Sequence, residues 1–366
     1  MNRRWAAEAL CLTVALCATN CGGDESEDSD DSSSSGGGSG GGHTGGGGQS
    51  DSVGQPPSEP DGPEADGNTP TVLAVSRLFL GDTDRDGNRS DDAWRQYGYN
   101  LDGRVSDAGD DDHCQPVSGA ADSVKEDGED GIDNGFGHGV LSVMSLLEER
   151  PTENAASQIE SGRFTYLIPL NNLGAGLNQT GVDAALLHGA PLSDPPLFDG
   201  TDIWPVTAES VNDGDLNDPR VAFPNSFVAD GTWSSGPYTD FQLVVSISDI
   251  PLTFNLHEAV ITMDVEGTGS EAVATNGIIA GVLERDELAE EFRRAAGAIN
   301  PTFCSGLIIE QLLTNIRRTA DIMSDGSNGD SSETCDGISV GLGFEARAVS
   351  LGEVAAELPP PDDPCD

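Results

Sequence analysis

The run FQLVVSI, residues 241–247, decides how the body of this chain is read. Phe241, Leu243, Val245 and Ile247 fall on one side of an extended backbone, Gln242 and Ser246 on the other. A period of two is the pattern of a strand with one buried face. Runs of similar character surround it: FTYLIPL (164–170), DAALLHG (183–189), DIWPV (202–206), RVAFP (220–224), PLTFNL (251–256) and AVITMDV (259–265). Turn material such as NDGDLNDP and ADGTWSSG separates them. TVLAVSRLFLG from Thr71 adds a strand at one end, and GISVGLGFEARAVSL (337–351) a closing strand or hairpin at the other. Short strands parted by turns predict a mainly β body with helices, and an antiparallel β-sandwich is the expected architecture. Pro205 and Pro224 belong at edges or strand ends, because proline cannot donate to a ladder.

Helical spacing appears in three places. Val140, Val143, Met144 and Leu147 predict a helix over 139–149, ended by Pro151. RDELAEEFRRAAG (285–297) reads as a polar helix stopped by Gly297. In 303–323, Leu307, Ile308, Leu312 and Ile316 make an apolar stripe. Ser90 is placed to cap a short helix carrying Trp94 and Tyr97.

The chain carries 64 acidic against 17 basic residues, a formal charge of -47, and Lys125 is its one lysine. Such an excess argues against nucleic acid or an anionic membrane surface as partner. Arg3 and Arg4 precede a short apolar run from Leu10 to Ala18, too short to span a bilayer and typical of an export signal. That run ends at Ala18-Thr19-Asn20-Cys21 and is followed by Gly and Asp. It resembles a bacterial lipoprotein signal, which implies lipid modification of Cys21, attachment to a membrane through the lipid, and an outer-membrane or cell-surface location. Residues 22–70, rich in Gly, Ser, Asp and Pro, read as a disordered tether. An acidic segment (71–150) and a β-rich domain with helices (151–366) follow. Beyond the signal and Cys21, four cysteines remain. In an exported chain they are expected to pair, as Cys304–Cys335, closing a short loop, and Cys114–Cys365, tying back the tail.

Two acidic stretches carry the candidate chemistry. In DTDRDGNRSDD (82–92), Asp82, Asp84 and Asp86 alternate before Gly87, with Asn88 and Ser90 next in spacing. Oxygen ligands alternating before a sharp turn are how a chain wraps Ca²⁺. The EF-hand's final glutamate position is Ala93 here, and a strand enters the loop. The loop therefore resembles the Asp-rich calcium loops of thrombospondin type 3 repeats and dockerins. DGEDGIDN (127–134) offers Asp127, Asp130 and Asp133 as a second set, similar to a stretch of those repeats. The order of strand, W-x-x-YGYNLDG, a cysteine, DGEDGIDNGFG and a β-rich half ending in CDGISVGLGFEA also resembles secreted lipoproteins of myxobacteria and their relatives. That resemblance implies location and class, and no activity.

No catalytic residue is assigned. GDSS at 329–332 has no histidine after it, and no G-x-S-x-G elbow exists. The expected function is a calcium-stabilised, lipid-anchored binding or structural module with a protein or glycan ligand. The alternative is a glycan hydrolase, with Glu258 or Asp264 as carboxylates and Trp204 and Trp233 as a sugar-stacking surface.

Overall fold

The computed structural model describes residues 54–110, 113–144, 150–247, 250–357 and 363–365. The signal segment, Cys21 and the tether to residue 53 lie outside the described residues, as does Leu147. In chain order the strands are β1 (Thr71–Phe79), β2 (Thr165–Leu170), β3 (Gln179–Gly189), β4 (Ile203–Val206), β5 (Val211–Asn212), β6 (Asp215–Pro219), β7 (Val221–Ala229), β8 (Thr232–Ser234), β9 (Thr239–Ile247), β10 (Ile250–Glu266), β11 (Val273–Glu284) and β12 (Gly337–Val354). The helices are α1 (Leu141–Met144), α2 (Pro151–Glu160), α3 (Arg285–Ile299) and α4 (Leu307–Arg317).

The expected sandwich is incorrect. Eight strands close into one antiparallel barrel in the order β1-β2-β3-β7-β8-β10-β11-β12 and back to β1. The closing seam pairs Val72 with Val349 at one end and Phe79 with Gly343 at the other. Two features make closure possible. β10 and β12 are 17 and 18 residues long, and each changes register along its length. Such irregularities coil a sheet until its edges meet, and closure removes the unpaired edges that a sandwich retains. β9 pairs with the first half of β10, β5 with β6, and β4 runs parallel to the end of β12.

β1 shows how the wall is built. Leu73 and Val75 join the main core, whereas Val72 and Ala74 belong to a second apolar cluster with Trp204 and Val206 of β4. A register shift between Val75 and Arg77 reverses the phase. Leu78 then joins the main core, and Phe79 turns into a third cluster with Tyr97, Val260 and Ile278. That third cluster seats the acidic segment on the wall.

β11 has no strong strand pattern, because Gly277 and Gly281 interrupt it. The barrel requires both glycines. A Cβ at Gly277 would lie 2.6 Å from the Phe344 ring, and one at Gly281 2.9 Å from Ala259. Several helical expectations also change. Phe136–Val140 is a π-turn leading into the short α1. Pro151 opens α2, since proline suits the first helical turn. Ala93–Gln96 forms a 3₁₀ turn with no side-chain cap. α3 runs through Gly297 to Ile299. α4 buries Ile309, Leu313 and Ile316, leaving Leu307 and Ile308 exposed. Upstream of β1 the chain is an extended arm held from Gly54. Asn100 N donates to Gly54 O (2.8 Å), Ala65 N to Thr180 O (2.8 Å) and Gly67 N to Asn172 O (2.8 Å).

The cysteines pair as Cys114–Cys335 and Cys304–Cys365, each with Cα atoms 5.1 Å apart. The expected pairing is therefore exchanged. Cys114 reaches Cys335 because their segments meet at an isolated bridge, with Gln115 N on Glu333 O and Cys335 N on Gln115 O. Both disulfides fit an exported protein. Among the described residues no helix is long and apolar enough to cross a membrane.

Candidate functional site

The loop at 82–92 leaves β1 and is pinned to the barrel wall. Tyr97 OH donates to Thr83 O (2.9 Å), and Arg85 Nη2 to Gly277 O (3.2 Å). The Arg85 guanidinium lies 5.2 Å from the centre of the Tyr97 ring. Burial raises the Tyr97 phenol to about 12. Within the loop each side chain has a local task. Asp82 Oδ1 accepts from the Thr152 hydroxyl, and Thr152 Oγ1 accepts from Leu80 N (3.0 Å), which ties the start of α2 to the end of β1. Asp84 accepts from Asn88 N (2.8 Å) and Nδ2 (3.0 Å), and these bonds lower its pKa. Asp86, Asn88 and Ser90 are exposed.

The second stretch behaves differently. Asp133 is buried and Asp127 half-buried, whereas Asp130 is exposed at φ 57°. Two further carboxylates act on this pair. Asp102 comes from the turn after Tyr99, and Asp321 from the stretch between α4 and β12; both repel Asp127 and Asp133. One oxygen or more of each group is tied to backbone. Asp127 Oδ2 accepts from Ser106 N (2.6 Å), Asp133 Oδ2 from Leu101 N (2.7 Å), Asp102 Oδ1 from Arg104 N (2.9 Å) and Asp321 Oδ1 from Ser339 N (2.9 Å).

Burial dominates their protonation. It raises Asp127 to about 8 and Asp321 to about 7, and pushes Asp133 well above its ordinary value. Asp102 is also raised by burial, opposed by the nearby Arg104 and His113. Carboxylates sharing such a space cannot all ionise without added positive charge. Protons or a cation can supply it. Among the described residues no three His, Cys, Asp or Glu side chains already form a metal-ligand group.

Next to this set, Asn134 is almost wholly buried, at 2% exposure. Its Nδ2 faces Trp94 O, Tyr97 O and Gly341 O, and its Oδ1 accepts from Gly137 N and Gly341 N. It joins the acidic segment to β12.

The sequence reading thus located Asp127 and Asp133 but missed Asp102 and Asp321. Asp321 carried no clear signal: an acid between apolar Ala320 and Ile322 fits an outward position on an extended chain equally well. Asp102, in a common N-L-D-G turn, carried none. The carboxylates of the alternative reading are Glu258 and Asp264, on β10. Glu258 is exposed, while Asp264 accepts from Thr232 Oγ1 (2.5 Å) and Asn276 Nδ2 (2.9 Å). Trp204 and Trp233 are fully buried and form no stacking surface. Comparison with protein-family models, with curated proteins and with solved structures finds no match to this chain.

Proposed function

We propose that this protein is an exported, lipid-anchored structural or binding module whose barrel is stabilised by Ca²⁺. The observation that carries the reading is the clustering of carboxylates around buried Asp133, with half-buried Asp127, Asp102 and Asp321 close enough to repel it. Hard oxygen donors suit Ca²⁺, which also accepts backbone carbonyls and water and so does not need a closed side-chain cage. A divalent ion would offset the repulsion that protons otherwise relieve. The loop at 82–90 is a second, weaker candidate, because its acids are engaged locally. Cys21 after a short apolar run supports the lipid anchor and an outer-membrane or surface location, as does the resemblance to myxobacterial lipoproteins.

The test is thermal unfolding of the mature chain at pH 8 after chelation and again with added Ca²⁺. Ca²⁺ should raise the transition. D127N with D133N should remove that response, and D84A with D86A should leave most of it. An unchanged transition on adding Ca²⁺ overturns the reading.

A further inference from the structure

The chain contains three Asn-Gly pairs, 134–135, 276–277 and 328–329. Such a pair is open to self-modification, because glycine has no side chain to shield its backbone nitrogen. That nitrogen can attack the asparagine side-chain carbonyl and close a succinimide ring. The three pairs sit in unlike settings. Asn134 is held by its five bonds, and Gly135 N donates to Ser339 Oγ (2.7 Å). Asn276 donates through Nδ2 to Asp264 Oδ2 (2.9 Å), and Gly277 is paired with Phe344 inside the sheet.

Asn328 differs on each count. It is half-buried in the loop between α4 and β12, and its backbone carbonyl accepts from Cys114 N (2.8 Å). Gly329 stands at φ 62°, and among the described residues its N–H makes no hydrogen bond. The side-chain amide of Asn328 lies between opposite charges. Its Oδ1 accepts from Arg104 Nη1 (2.9 Å) and Nε (3.2 Å), and its Nδ2 donates to Asp102 Oδ2 (3.1 Å). Two guanidinium donors on one amide oxygen draw electrons from the carbonyl carbon. They also meet the negative charge that this oxygen gains as the carbon becomes tetrahedral.

We propose that Asn328–Gly329 is a site of self-catalysed deamidation, with Arg104 stabilising the oxyanion. Gly329 N gives its proton to hydroxide and bonds to Asn328 Cγ. The Cγ–Nδ2 bond then breaks, and the nitrogen leaves as ammonia with a proton from water, which regenerates the hydroxide. A second water opens the succinimide at one of its two carbonyls. Aspartate or isoaspartate results at 328, and no oxidant or cofactor takes part. Arg104 keeps an acidic partner, but Asp102 then faces a carboxylate where it had a donor. The turn carrying Asp102 and the loop carrying residue 328 therefore repel one another after conversion.

The experiment ages the folded full-length chain at pH 8 and follows all three pairs by peptide mass spectrometry, with isoaspartate counted by enzymatic methylation. Asn328 should convert faster than Asn134 and Asn276. R104Q should slow Asn328 at least about ten-fold, the scale expected for a lost oxyanion donor, and leave Asn276 unchanged. A merely structural Arg104 predicts the reverse, since a loosened loop converts faster. R104K keeps the charge without the paired donors, so its rate should fall between those of R104Q and the native chain. An Asn328 no faster than Asn276, an unchanged or raised rate in R104Q, or any other order of the three chains would each overturn the proposal.

Discussion

Replacing Asn134 by alanine should be among the most destabilising single changes available in this chain. The side chain serves five backbone groups: the carbonyls of Trp94, Tyr97 and Gly341 and the amides of Gly137 and Gly341. A typical hydrogen bond contributes about 1 kcal/mol net, and a buried group left unsatisfied costs about 1–3 kcal/mol. Alanine cannot reach any of the five. The expected loss is about 5 kcal/mol, comparable to the whole stability of a weakly stable domain. Equilibrium unfolding in urea measures it, with Trp94, stacked on His138 at 4.4 Å, as a nearby fluorescent reporter. The midpoint should fall sharply with the slope unchanged. N134D separates hydrogen bonding from shape. It preserves the outline but replaces a donor facing three carbonyls with an acceptor, so it should be at least as damaging at pH 7. A loss under about 1 kcal/mol for N134A would refute the reasoning, because water or backbone shifts would then be replacing the amide.

The pH dependence has a defined sign. Folded Asp127 (about 8) and Asp321 (about 7) hold protons that an unfolded chain releases near pH 4. Their contribution is full below that value and is lost as pH rises through about 7–8. Burial lowers His138 and His188, which gives the opposite slope at more acidic pH, so the window to measure is pH 6.5–8 in chelator. The transition should fall across it in the native chain and fall less steeply in D127N/D133N, which leaves Asp321 to titrate; a rise in the native chain would contradict the raised carboxylates. On α4, L313A should cost about 2–5 kcal/mol and L307S with I308S under about 0.5 kcal/mol, since Leu313 is buried and the other two are 91% and 77% exposed. Equal losses in urea unfolding would show the wrong face assigned.

Local periodicity made much of the fold legible. The runs at 164–170, 183–189, 202–206, 220–224 and 241–247 are all strands, because alternation records which side of an extended chain is buried. PLTFNL and AVITMDV proved to be one strand, β10, joined across a register shift near His257. β11 escaped notice for the opposite reason. Its glycines are required by Phe344 and Ala259, residues distant in sequence, and they erase the local signal. α4 was seen as a helix but rotated, since Leu307 precedes the turns that pack against the core.

The chain by itself determined its acidity, its strand content, its cysteine supply and the presence of two acidic stretches. Tertiary structure decided how these combine. Barrel and sandwich demand the same alternation, and only the pairing of Val72 with Val349 distinguishes them. Four cysteines allow three pairings, and proximity in the folded chain selects one. The four carboxylates, of which only Asp133 is fully buried, come from three segments, so no local spacing could reveal that Asp102 and Asp321 join Asp127 and Asp133. Short-range pattern reports burial and turning of the backbone. Closure, disulfide choice and shared charge depend on contacts between residues far apart in sequence, and those exist only once the barrel has formed.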